Sequence, residues 1–290
     1  MKDKHSLFDV CACAIFLIGC LTLTLSASAQ DVADDLLLPT SFHRSSGAIN
    51  IGGINRCYDS YLSPNNYSGL AISGMVETWQ QVKWGGGCWF EQDMYDTYVG
   101  LTTFGQGAAL AAFENFTYAL PWRVAAFDEY RFYVGPEVQA RLGVVYNLRN
   151  SNNPANVKAA LHAGAMGRAE ANLDVSGVPV CMAYQLDLPL IGGFFAPEYT
   201  QSLYEIFTLD NESPVIHFAS PANCFSTRQL VTIDVTHRHS ITRFSLGYDV
   251  YQWHTSTAAF AIHTFQVGIG YVHNFYTIRP HETASQYIPY

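Results

Sequence analysis

From Phe132 to Leu148 the chain alternates strictly. One row, Phe132, Val134, Pro136, Val138, Ala140, Leu142, Val144, Tyr146 and Leu148, carries no charge. The other, Tyr133, Gly135, Glu137, Gln139, Arg141, Gly143, Val145 and Asn147, carries acid, base, amide and glycine. A period of two puts successive side chains on opposite faces of an extended strand. The pattern returns after the turn-like "RNSNNPAN" at 149–156: Ala155, Val157, Ala159, Leu161, Ala163, Ala165, Gly167, Ala169, Ala171 and Leu173 form an apolar row, opposed by Lys158, His162, Arg168, Glu170 and Asn172. All seven charges of this hairpin, Arg131, Glu137, Arg141, Arg149, Lys158, Arg168 and Glu170, share the polar face. A turn symmetric about residues 152 and 153 would set Glu137 opposite Arg168 as a cross-strand ion pair.

Two other folds could use such a segment. Its alanines, lysine and glutamate suit an amphipathic helix over 155–173, but Gly164, Gly167 and the period of two favour a strand. A soluble β-sandwich also alternates, yet its strands run about 5–6 residues, far shorter than the alternation over 131–149. The same signature recurs where Phe244, Leu246, Tyr248 and Val250 alternate with Arg243, Ser245, Gly247 and Asp249, and again over 264–275. Between turn signals the chain divides into runs at 57–63, 68–84, 91–104, 107–120, 129–149, 155–174, 178–189, 200–209, 213–220, 228–238, 240–254 and 258–276. The pattern therefore predicts an all-β protein, an antiparallel up-and-down transmembrane β-barrel of about twelve strands. Its apolar row faces lipid and its polar row faces the interior. Turning Arg141 or Arg168 outward at mid-bilayer would cost roughly 2–4 kcal/mol each.

The ends of the chain sharpen this picture. Lys2 and Lys4, the apolar stretch Val10 to Leu25 and the small-x-small sequence Ala27-Ser28-Ala29 read as a secretory signal over 1–29, cleaved near Ala29. The "LIGC" ending at Cys20 also fits a lipid-attachment box, but the apolar stretch runs past it to the Ala29 site. Residues 30–56 show no sustained period and read as an irregular N-terminal extension. The barrel follows at 57–277 and a tail at 278–290. Charged residues are only 13% of the chain, against 18 Tyr, 18 Phe and 5 Trp. With a net charge of −9 and no basic stripe, the chain is not built to neutralise phosphates, and no nucleic acid partner is expected. Cys57, Cys88, Cys181 and Cys224 remain after the signal; export permits two disulfides, and four free half-buried thiols fit equally well.

Several stretches, "YDSYLSPNNYSG" (58–69), "RNSNNPAN" (149–156), "LPLIGGFFAPEYTQSLYEIF" (188–207) and "RFSLGYDVYQ" (243–252), resemble an uncharacterised Bacteroidetes family of exported proteins with a domain of unknown function. The family pattern carries Gly and Tyr where this chain has Thr200 and Leu203. The resemblance implies an outer-membrane barrel and transfers no catalytic residue.

Candidate chemistry is sparse. Glu137, Arg141, Lys158, His162, Arg168, Glu170, Arg243 and Asp249 form an expected charge cluster in the lumen, with Asp187 and Asp234 also pointing inward. Pro189, Gly192, Gly193 and Pro197 interrupt the ladder before Glu198, Tyr199, Tyr204 and Glu205, which a loop folded into the barrel mouth would present. His237 and His239 share a strand face, but two imidazoles lack the third ligand a metal needs, so neither metal nor cofactor is expected. His254 and Ser256 form a His-x-Ser pair that, with Asp249 or Glu205, would be the minimum for a lipid hydrolase. The reading that follows is a binding or transport component in the outer membrane with a polar, mixed-charge lumen. Its expected partners are outer-membrane lipid and a small polar solute or a periplasmic protein. The alternatives are a lipid-modifying hydrolase and a structural or assembly partner.

Overall fold

The computed structural model describes residues 41–82, 87–149, 154–197, 215–238 and 240–277. The signal, the 200–209 run, Glu198, Tyr199, Tyr204, Glu205, His239 and the tail lie outside them. Twelve strands are formed: β1 (Ser41–Asp59), β2 (Ser63–Gln81), β3 (Phe90–Phe104), β4 (Gly107–Ala119), β5 (Trp122–Phe127), β6 (Tyr130–Asn147), β7 (Ala155–Val175), β8 (Val178–Phe195), β9 (Ile216–Ala219), β10 (Cys224–Thr236), β11 (Ile241–His254) and β12 (Ala259–Thr277). Every pairing is antiparallel between sequence neighbours, apart from the closing pair of β1 with β12 and two skipped short strands. Ten strands close the ring: β1 to β4, β6 to β8 and β10 to β12.

Twelve strands are present, as the sequence reading expects, but only ten of them are members of the ring, and the cause is local. Pro121 ends the ladder after β4, and β5 resumes on the same neighbour, β6, further along. Likewise β9 pairs with one end of β8 while β10 pairs with the rest of it, separated by a turn over 220–223. A proline has no N–H to give a ladder, so such a strand breaks without opening the sheet. The 57–63 run is the end of β1 and its turn, and β1 itself begins at Ser41. The irregular extension expected over 30–56 is thus, from Ser41 on, the strand that closes the barrel.

Face assignment and register part company in the β6–β7 hairpin. Along β6 the apolar row is outside, with Val134 and Leu142 more than half exposed (52% and 56%), while Glu137 and Arg141 are 2% and 7% exposed. Yet Glu137 pairs with Gly164 and Arg168 with Tyr133, a register four residues from the expected one. A shift by an even number leaves every side chain on its face. The rows survive and the predicted Glu137–Arg168 pair does not.

Two glycines show how the wall bends. A Cβ on Gly52 would lie 1.9 Å from the carbonyl oxygen of Phe265, and one on Gly69 would lie 1.9 Å from that of Leu101. Neighbouring backbones approach here more closely than any side chain allows. At the β7–β8 turn, Ser176 and Gly177 both take positive φ (56° and 83°), as a two-residue hairpin requires.

Candidate functional site in the barrel lumen

The lumen is filled in layers. Near the end that carries Ser41 and Thr277, Trp79, Phe90 and Tyr133 pack with ring centroids 5.2–5.6 Å apart, with Met166 and Ala119. Toward the opposite end a larger cluster runs from Tyr98 through Phe113 and Phe260 to Trp253 and Phe194, with successive centroids 5.2, 6.1, 5.9 and 5.3 Å apart. The rings come from the inner rows of β2, β3, β4, β6, β8, β11 and β12. Edge-to-face and offset contacts of this kind add specific attraction to area burial.

Between the two aromatic layers lies an ion-pair network. Glu77 of β2 joins Arg168 of β7 (2.7 Å) and Arg243 of β11, linking strands on different sides of the ring. Arg168 also holds Glu170 at 2.9 Å, and its guanidinium stacks 4.7 Å from the centre of the Trp79 ring. Arg243, fully buried, grips Asp234 at 2.7 and 2.8 Å. A second group joins Arg141 to Asp249 at 2.8 Å, and Arg228 to both Asp96 and Asp249. Arg141 in turn covers the Tyr251 ring at 4.6 Å. Lys158 lies deepest in the larger aromatic cluster, 2.8 Å from Asp59 and above the Trp253 and Phe260 rings at 4.9 and 4.6 Å. Amides fill the gaps, as where Gln92 donates to Glu77 and Gln185 at 2.8 Å each. A cavity of about 40 Å³ remains beside Asp96, Tyr98, Arg228, Asp249 and Thr264, room for a few waters at most.

All eight residues of the expected lumen cluster point inward: Glu137, Lys158, His162, Arg168, Glu170 and Arg243 are buried with Arg141, and Asp249 is nearly so. They do not form one site. His162 stands apart, 3.5 Å from Cys224 Sγ and beside the Tyr251 ring. Of their principal partners, Arg228 pairs with Asp249 across the neighbouring β10–β11 ladder, while Asp59, Glu77 and Asp96 escaped the sequence reading because they belong to pairs between strands that are not neighbours, as with Glu77 and Arg168, 91 positions apart. No local spacing encodes such a contact. The usable signal was parity alone, which puts Glu77 and Arg228 on inner rows.

The other candidates are dispersed. His254 ends β11 on its exposed outer row, whereas Asp249 is ion-paired inside. The wall stands between them, Ser256 is in the turn beyond, and no hydrolytic triad is assembled from these residues. His237 is exposed in the β10–β11 turn, its N–H bonded to the Ser240 carbonyl at 2.8 Å. Among the described residues no group of three or more His, Cys, Asp or Glu could hold a metal ion. The four cysteines are free thiols, so the two-disulfide option falls.

These features define a class: a closed antiparallel barrel with an apolar outer wall and a packed, ion-paired interior. Residues 14–282 match the family described as "Protein of unknown function (DUF3316)", and the chain belongs to that family. No curated protein matches it. Among solved structures it is similar to Neisserial surface protein A (8% identity, 81% of this chain and 97% of that one, TM-score 0.35). It is also similar to the outer membrane protease OmpT from Escherichia coli (5% identity, 82% and 97%, TM-score 0.44). A third is the translocator domain of the autotransporter NalP from Neisseria meningitidis (8% identity, 91% and 97%, TM-score 0.35).

Proposed function

We propose that this chain is an exported outer-membrane protein of a Gram-negative envelope, released from its signal near Ala29, that serves as a membrane-embedded binding component rather than a pore. The observation that carries the location is inverted polarity. Among the described residues thirty-five large apolar or aromatic side chains are exposed, including Ile49, Ile51, Leu70 and Ile72, while arginines and carboxylates fill the centre. At roughly 1.5–3 kcal/mol for each such side chain taken fully out of water, leaving this surface wet would cost on the order of tens of kcal/mol. Hydrocarbon removes that cost, and a closed ring leaves no unpaired backbone edge within it.

The two aromatic layers and the network between them favour binding over conduction. A solute crossing the lumen would have to separate buried ion pairs and stacked rings together. Binding of a small polar solute or a periplasmic protein then falls to the barrel ends. Purified outer membranes should contain the protein as a band that migrates faster unheated than boiled, and the reconstituted protein should give no steady conductance in planar bilayers. Recovery in a soluble periplasmic fraction would overturn the location, and stable unit conductance would overturn the binding role.

A further inference from the structure

The cavity beside Arg228 follows from one missing side chain. On the lumen face Arg228, Asp249 and Thr264 are direct partners in a row across β10, β11 and β12, and the next such row reads Leu230, Gly247 and Gln266. Gly247 leaves the middle of that second row without a side chain. A Cβ there would meet only the tip of Leu230, at 3.8 Å. Met75 of β2 and Tyr98 of β3 help to line what is left, the cavity of about 40 Å³.

The polar atoms around this cavity fall into two sets. Asp96 accepts from Arg228 Nη2 and from the Asn115 amide, and Asp249 Oδ2 accepts from Arg141 at 2.8 Å. By contrast, Tyr98 Oη, Arg228 Nη1, Asp249 Oδ1 and Thr264 Oγ1 are all buried without a hydrogen-bond partner. Tyr98, Thr264 and Arg228 are 2%, 1% and 9% exposed, so bulk water does not reach them. A buried polar group left unpaired costs about 1–3 kcal/mol, and four such atoms border one small space. The charges themselves already balance, Arg141 and Arg228 against Asp96 and Asp249. A guest therefore need not be an ion. Arg228 Nη1 can only donate and the Asp249 carboxylate can only accept, while the two hydroxyls can do either. Arg228 and Asp249 are direct partners, with side chains that start about 4.5–5.5 Å apart. A guest serving both must accept from one and donate to the other.

We propose that this cavity is a hydration site, in which a cluster of two or three internal waters joins Tyr98, Arg228, Asp249 and Thr264. At roughly 15 Å³ of such space per molecule, that number fits the volume, and each buried water commonly makes about three hydrogen bonds. The site rests on the lumen alone and stands apart from the membrane role. Water completes the group of Arg141, Arg228, Asp96 and Asp249, so the lumen is wet at its centre although aromatic layers pack on both sides.

Gly247→Ala tests this directly, because its methyl enters the cavity without meeting backbone. Oxygen-17 relaxation dispersion of water around the protein in detergent micelles counts long-lived internal waters, and the variant should lose at least one. Its urea midpoint in vesicles should fall. Thr264→Val and Tyr98→Phe keep the side-chain shape and should each lower the folding constant by roughly two- to tenfold, the worth of a lost hydrogen bond. A dry cavity predicts the opposite signs, since a methyl would then fill space and deleting an unpaired hydroxyl would relieve its burial. An unchanged water count in Gly247→Ala, or raised midpoints in the three variants, would overturn the proposal. So would a wild-type midpoint that shifts when sodium or potassium chloride replaces choline chloride, if Gly247→Ala abolishes the shift, since that assigns the site to a cation.

Discussion

Lys158 offers the sharpest test of the packed lumen. Its ammonium is fully buried, 2.8 Å from Asp59 and above two aromatic rings. Lys158→Met keeps the length of the side chain and deletes the charge. Asp59 then stays buried with only the Asn156 amide, 3.1 Å from both its oxygens, and the Tyr61 N–H at 3.1 Å. Removing one partner of a buried pair costs roughly 3–5 kcal/mol. The remaining hydrogen bonds place this case near the lower figure, about 3 kcal/mol, or a hundredfold or more in the folding equilibrium. Lys158→Met combined with Asp59→Asn leaves no uncompensated charge and should recover most of the loss, to within about 1 kcal/mol of wild type. Urea titrations in phospholipid vesicles, followed by tryptophan fluorescence and by unheated gel mobility, would measure all four corners of this cycle. Simple addition of the two single-variant losses would refute the claim that Lys158 is retained for Asp59.

Further predictions test the wall and its register. Gly52→Ala or Gly69→Ala forces a Cβ to within 1.9 Å of a neighbouring carbonyl oxygen, and each should lower the urea midpoint clearly, whereas Gly167→Ala, which meets nothing within 4 Å, should not. Leu142→Lys, on the exposed row of β6, should cost about 2–4 kcal/mol in vesicles if it lies near mid-bilayer; an unchanged midpoint would remove it from the lipid-facing belt. Cysteines replacing Leu142 and Ala159, which are direct partners, should cross-link on oxidation, whereas cysteines at Leu142 and Ala163 should not. The reverse outcome would restore the symmetric-turn register.

What could be read in the sequence follows from which physics is local. An apolar outer wall and a polar interior impose a period of two, so the rows of β6, β7, β11 and β12 are visible residue by residue. Register depends on the turn, and the Asn- and Pro-rich stretch after Asn147 does not place its own centre, hence the four-residue error. β1 was missed because its inner row is small or polar (Ser46, Ala48, Asn50) and its outer row is broken by Gly47 and Gly53. Only Ile49 and Ile51 mark the apolar outer side. The count of about twelve strands holds, but only ten of them are staves: the 213–220 run holds β9, which pairs only with the end of β8, the 200–209 run lies outside the described residues, and β5 after Pro121 is too short to be read from alternation. The ion-pair network, with partners such as Glu77 and Arg168 on strands that are not neighbours, emerges only when all ten strands are in place.

Ser41 and Thr277 are direct partners across the β1–β12 seam, which runs from there to the pair Asp59 and Phe260. The two ends of the barrel's chain are thus side by side, and the ring has no structural first strand. Joining them by a short linker and reopening the chain at the tight Ser176-Gly177 turn should yield a circular permutant with the same wall. The natural order nonetheless sets a timetable. The seam joins segments more than two hundred positions apart, so every other ladder can zip between near neighbours while this one must wait for the last strand. Until then β1 and β12 present raw edges, and a chain that ends before Ala259 can never close.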